Sequence, residues 1–134
     1  MEPSLELQRV IVATLKADAA VNALIAGRVY DRVPSPATFP YVVVGDDQVS
    51  QAHAQCLEGS TEVFSSLHAW SREVGKVEAK KIAGAVVTAL NGAPLALTGY
   101  RLVLIEHDNT QHLGDPDGIT SHSVIVFHAF VDEI

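Results

Sequence analysis

The chain holds one cysteine, Cys56, in 134 residues. No internal disulfide can staple it, and a reducing compartment suits it. Positive charge is scarce as well: 9 Lys and Arg face 16 Asp and Glu, for a formal net charge of −7. That deficit excludes roles resting on non-specific affinity for nucleic acid, which needs clustered cations against phosphate. Long hydrophobic runs are also missing. The uncharged stretch 82–100 spans 19 positions, near the ~20 a membrane helix needs. Asn91-Gly92 and Pro94 interrupt it, so it reads as a helix end, a turn and a strand start. No membrane association is expected. Met1-Glu2-Pro3-Ser4 has no basic start and no apolar block after it, so no secretion leader is expected. Repeats, linkers and low-complexity tracts are absent.

What remains is apolar enough to fold. Hydrophobic residues make up 48% of the chain, charged residues 19%, and mean hydropathy is +0.21. Disorder needs the opposite balance. The length fits one domain, 1–134, with a substantial core.

Periodicity places the elements. Ser4 is a candidate N-cap for a first helix in which Glu6 suits the helix dipole and Leu7, Ile11 and Leu15 form one stripe. Asp18 caps a short helix over 19–26, which Gly27 stops. A short strand follows over 28–33, then a rigid loop with Pro34, Pro36 and Pro40. Tyr41-Val42-Val43-Val44 is a buried strand that runs on in polar form to Ser50, and 51–60 is a hairpin tip. In a strand over 61–71, Val63, Leu67 and Ala69 share one face and Phe64, His68 and Trp70 the other. Ser71 caps the main helix, 73–90, whose buried face is Ala79, Ile82, Ala83, Val86, Ala89 and Leu90. A strand over 100–108 buries Leu102-Val103-Leu104-Ile105. Asp115-Pro116-Asp117-Gly118 is a turn, and the last strand covers 119–131. The order predicts an α+β fold, a largely antiparallel or mixed sheet of four to five strands with two main helices packed on it.

No reactive constellation emerges. Cys56 with His53 offers a thiol and a base, without a third group or an oxyanion hole. Glu106, His107, Asp108, His112, Asp115 and Asp117 are the best metal candidates, yet they match neither zinc nor calcium spacing. The turn itself accounts for Asp115 and Asp117. Asp46 and Asp47 are adjacent, so in a strand they point to opposite faces and make no acid/base dyad. Gly45, Gly59, Gly114 and Gly118 lack any phosphate-loop context. Lys76, Lys80 and Lys81 read as a solvated helix face, Trp70 as a plug at the core or sheet edge, and His68 and His128 as histidines packed on the sheet. No catalytic, cofactor or metal residue is expected. The profile fits a binding or assembly module better than an enzyme.

Four segments carry a resemblance. They are Leu24-Ile25-Ala26-Gly27-Arg28-Val29-Tyr30-Asp31-Arg32-Val33-Pro34; Phe39-Pro40-Tyr41-Val42-Val43-Val44-Gly45; Leu67-His68-Ala69-Trp70-Ser71-Arg72 with Glu78-Ala79-Lys80 and Ile82-Ala83; and Asp115-Pro116-Asp117-Gly118-Ile119-Thr120. In that order they resemble the tail terminator, or tail completion, proteins of long-tailed phages and of phage-derived gene transfer agents. That family is similar in fold to the minor tail protein U of lambda-like phages. The resemblance implies a homo-oligomer, a hexameric ring on the head-proximal end of the tail tube. The ring would stop tube polymerisation and meet the head-completion (connector) proteins, and DNA would pass through its lumen without specific binding. It implies a place in the virion, after assembly in the host cytoplasm. It brings no catalytic residues and no cofactor. A tail tube or head–tail connector subunit is the alternative within the same ring logic; a small metal-binding enzyme is the alternative outside it.

Two hairpin regions, 46–60 and 107–121, are too polar for a core. They are expected to reach neighbouring subunits or the tube, which makes Asp46, Asp47, His53, Glu58, His107, Asp108, His112, Asp115 and Asp117 candidate assembly residues. Charge sharpens this. Residues 33–71 and 102–134 together hold 10 acidic residues, all 6 histidines and no Lys or Arg. These segments are expected to line or rim a negative lumen or to meet a basic partner.

Overall fold

A computed structural model describes residues 2–51 and 60–134. The order is α1 (Pro3–Ala17), α2 (Ala19–Ile25), β1 (Val29–Tyr30), β2 (Tyr41–Gln51), β3 (Thr61–Ser71), α3 (Val77–Leu90), β4 (Tyr100–Gly114) and β5 (Ser121–Glu133). The five strands form one sheet, β1-β2-β3-β5-β4. β1 runs parallel to β2 and every other pairing is antiparallel. The architecture is the expected α+β one.

The helices cover a single face. α1 turns Leu7, Val10, Ile11 and Leu15 inward, and α3 turns Ala79, Ile82, Ala83, Val86 and Leu90 inward. Under them lie Val63, Leu67 and Ala69 of β3 and Ile125, Phe127, Ala129 and Val131 of β5. Burial of this apolar surface is the main stabilising term.

Local chemistry explains where elements begin and end. Asp18 caps α2 as expected, accepting a hydrogen bond from Val21 N at 3.0 Å. α1 is capped two residues earlier than expected: Glu2, not Ser4, is the cap, and its carboxylate accepts from Ser4 N at 3.1 Å. Pro3 then takes the first helical position, where its missing N–H costs nothing. Ala26, expected inside α2, sits just past its end in the left-handed region at φ 52. The strand expected over 28–33 shrinks to two residues, because only Val29 and Tyr30 find partners on β2. α3 starts at Val77 rather than residue 73. Ser71 ends β3, and its hydroxyl accepts from Glu73 N at 3.1 Å and donates to Glu78 Oε1 at 2.8 Å. Gly75, at φ 74, is left-handed and breaks any earlier helix.

The hydrophobic run in β4 is less buried than its composition suggests. Leu102 pairs with Val131 and Leu104 with Phe130, so Val103 is an extra, bulged residue. Ile105 is buried, but Val103 and Leu104 are 43% and 40% exposed. β4 is an edge strand, and the bulge turns two of its four apolar side chains away from the helices. It also runs six residues beyond the expected end at Asp108, since the polar segment 109–114 pairs with 121–126. β5 accordingly starts at Ser121, after the turn. The region 107–121 is therefore a paired hairpin. The expected tip at 51–60 falls mainly on 52–59, outside the described residues.

Candidate assembly surface

β3 alternates without a break. Its odd-numbered residues face the helices, and Glu62, Phe64, Ser66, His68 and Trp70 face away. Register brings His122, Val124, Val126, His128 and Phe130 of β5 alongside them. β2 contributes through a bulge. Its ladder skips Gly45, which lies at φ 135, so Asp46 pairs with Ser66 and Asp47 with Ser65. The extra residue sends Asp46 to the helix-free face and Asp47 to the helix side.

Two side-chain constellations hold this helix-free face. In the first, the indole of Trp70 stacks on the His122 ring, centroids 3.7 Å apart and planes 11° from parallel. His122 Nε2 lies 2.7 Å from His68 Nδ1, and His68 Nε2 lies 2.8 Å from Asp46 Oδ2. The second contact is a close charge approach rather than an aligned hydrogen bond. In the second constellation, His128 stacks on Phe64 with centroids 4.3 Å apart and places Nε2 3.0 Å from Glu62 Oε1. Burial lowers the pKa of His122 from the ordinary histidine value; the neighbouring His68 adds to this, and Asp115 opposes it. A hydrogen bond between two imidazoles needs one N–H and one lone pair, so the pair holds at most one extra proton while intact.

The sequence-derived candidates lie in separate places. Asp46 joins the first constellation. Asp47 is half-buried; burial raises its pKa first, a hydrogen bond from Ser65 opposes that, and the charges of Asp46, Glu2 and Asp31 raise it further. His107 bonds Thr110 Oγ1 at 2.6 Å, and its backbone N–H donates to Asn91 Oδ1 at 2.8 Å. His112 bonds Ser123 Oγ at 2.7 Å, and Asp108 accepts from Asn109 at 3.0 Å. Asp115 and Asp117 serve their own turn: Asp117 Oδ1 accepts from Ile119 N and Thr120 N, both at 2.8 Å, which lowers its pKa. His53, Cys56 and Glu58 lie outside the described residues. Among the described residues, no group of three or more His, Cys, Asp or Glu could hold a metal. No helix is long and apolar enough to cross a membrane.

His122 and Glu62 fall in the acidic segments of the sequence but are not among its candidate assembly residues. Their signal was cross-strand: each pairs with a face already assigned, but only once the β3–β5 register is known.

The sheet has two unlike ends. At one, β2 hands over to β3 where Gln51 pairs with Thr61, level with Val131 and Leu102. At the other, the β4–β5 turn stands level with Ser71. A family model described as "Tail completion protein gp17" matches residues 9–132. The chain belongs to the tail completion protein gp17 family. A tail completion protein gp17 of Bacillus phage SPP1 is 30% identical over 87 residues, 65% of this chain and 63% of that relative's length. The match thus spans less than two thirds of the phage protein. A chain in a structure titled "Virion of native gene transfer agent (GTA) particle" superposes with a TM-score of 0.87 at 29% identity, covering 96% of both chains. Membership in this tail completion family gives the protein a structural role in a tail and a place in the virion.

Proposed function

We propose that this tail completion protein is a tail terminator. Copies form a ring, in the hexameric form the family resemblance implies, on the head-proximal end of the tail tube. The ring stops tube polymerisation, meets the head-completion proteins and passes DNA through its lumen. It does so by contacts alone, without catalysis or cofactor. The observation that carries this reading is the near-complete superposition on a virion chain of a gene transfer agent. The unlike sheet ends fit a subunit held between two different partners, with the Gln51–Thr61 pair at one end and the 107–121 hairpin at the other. The carboxylates Glu62 and Glu106 on the helix-free face suit a lumen that repels phosphate.

Complementation of a terminator-deficient particle tests it. The unmodified gene restores uniform tails and infectivity, whereas a chain with residues 51–58 replaced by a short Gly/Ser turn does not. Tails of normal length without the gene would overturn the terminator role. Long tubes grown from the purified protein would instead make it a tube subunit. The unmodified protein retards no duplex DNA in a gel at physiological salt, and a tight shift would overturn the repelling lumen.

A further inference from the structure

Both edges of the sheet are only partly covered. β1 pairs with Val42 and Val43 alone, so among the described residues no strand lies outside β2 from Asp46 to Gln51. On β4, Gly92 N donates to Ile105 O and Asn91 Oδ1 takes the His107 N–H, both at 2.8 Å, and among the described residues 109–114 have no outer strand.

The two edges carry opposite charge. At the β2 edge, Asp31 joins Asp46 and Asp47. Its Oδ1 lies 3.3 Å from where a Cβ on Gly45 would sit. Asp47 Oδ1 is enclosed without a hydrogen-bond partner, and its carboxyl is pushed up by burial and then by the charges of Asp46, Glu2 and Asp31. Among the described residues, no Lys or Arg is ion-paired with these carboxylates; Asp46 meets only the imidazole of His68. At the far edge, Lys80 lines a groove of about 250 Å³ with Gly84, Thr110 and His112. Lys76 Cε lies 3.9 Å from the Cβ position of Gly114. Neither lysine has an ion-pair partner among the described residues.

We propose that the β2 edge of one copy docks on the α3–β4 edge of a second copy, with Asp31, Asp46 and Asp47 facing Lys76 and Lys80. The contact uses two different surfaces, so it is head to tail and propagates until it closes. The strand register sets the Lys80 groove, at Thr110, nearly level with Asp46 and Asp47, whereas Gly114, beside Lys76, lies four residues beyond Thr110 along β4. Asp46 and Asp47 stand in the row of Ser66 and Ser65, then Val126 and Phe127, then Asn109 and His107, with Thr110 next along β4. A level contact closes a ring, whereas a steep one climbs into a filament. Crowded carboxylates gain from the arriving cations, and like charges at a wrong pairing repel.

This inference rests on the ring proposed above, and the test separates the two. Ring formation is followed by sedimentation for the unmodified protein, for Asp31→Lys with Asp46→Lys, and for Lys76→Glu with Lys80→Glu, each alone and as an equimolar mixture. Circular dichroism confirms that each variant is folded. The unmodified protein forms rings that dissociate as salt rises, each charge variant alone loses them, and the mixture regains them, because every junction in an alternating ring is again complementary. The mixture guards against a folding defect, since two misfolded chains would not rescue each other. Charge variants that assemble like the unmodified protein, or a mixture that stays apart, overturn this interface and leave the ring standing. Unmodified protein that never associates, even on tail tubes, brings down the ring and this contact together.

Discussion

The two faces of the sheet differ although the same strands make both. Toward the helices, β3 and β5 present Val63, Leu67, Ala69, Ile125, Phe127 and Ala129, all within 1% of fully buried. Away from the helices they present Glu62, His68, Trp70, His122 and His128, half-buried and joined by stacking and polar contacts. The first face is a matter of volume, the second of partners. Stability therefore concentrates on one side, leaving the other free to carry chemistry that a core would not tolerate.

The largest effect expected from breaking this contrast lies on the helix side. Phe127→Ala opens a cavity at a fully buried position and costs about 3–5 kcal/mol, read as a shifted denaturant midpoint. On the other face, Trp70→Ala removes a stacked but half-buried ring and costs about 1–2 kcal/mol, leaving a folded domain. Equal losses at the two positions would show that both faces are core.

The smallest effect sharpens the comparison through pH. The His122 pKa is lowered in the folded chain, so the unfolded state binds the proton more readily between that value and the ordinary one. Its contribution is present above the unfolded pKa of about 6.5. It is lost as pH falls below that toward the folded value. A series of thermal melts from neutral to mildly acidic pH shows this as a falling Tm, and His122→Phe flattens the fall. A slope unchanged by the substitution would place the titration elsewhere.

Much of the fold was legible because burial writes itself as period. β3 matched its expected bounds, and the buried side of α3 was read correctly except for Ala89, which is only partly buried. The misses share a cause. Val103 and Leu104 look like core by composition, and only pairing with β5 reveals the bulge that exposes them. Residues 109–114 carry no hydrophobic alternation, so their strand exists through its partner alone. Ser71 has the chemistry of a cap and spends it on a loop, because Gly75 delays the helix. The candidate surface was harder still. Phe64, His68 and Trp70 were placed together by alternation, but His122 is 54 positions from its partner His68, and no local pattern spans that distance.

The unlike ends of the sheet have one more consequence. In the proposed head-to-tail ring every copy would point the same way, so its two rims would be different surfaces. With the strands along the ring axis, one rim would display the Gln51–Thr61 end of β2 and β3, the other the Asp115–Gly118 turn. A rim that fits the last layer of a tube leaves its opposite outward, and the opposite does not repeat the tube. Growth would then halt for want of a matching face, with no separate blocking device. Directionality of the whole particle would be inherited from the handedness of a single polypeptide's strand order.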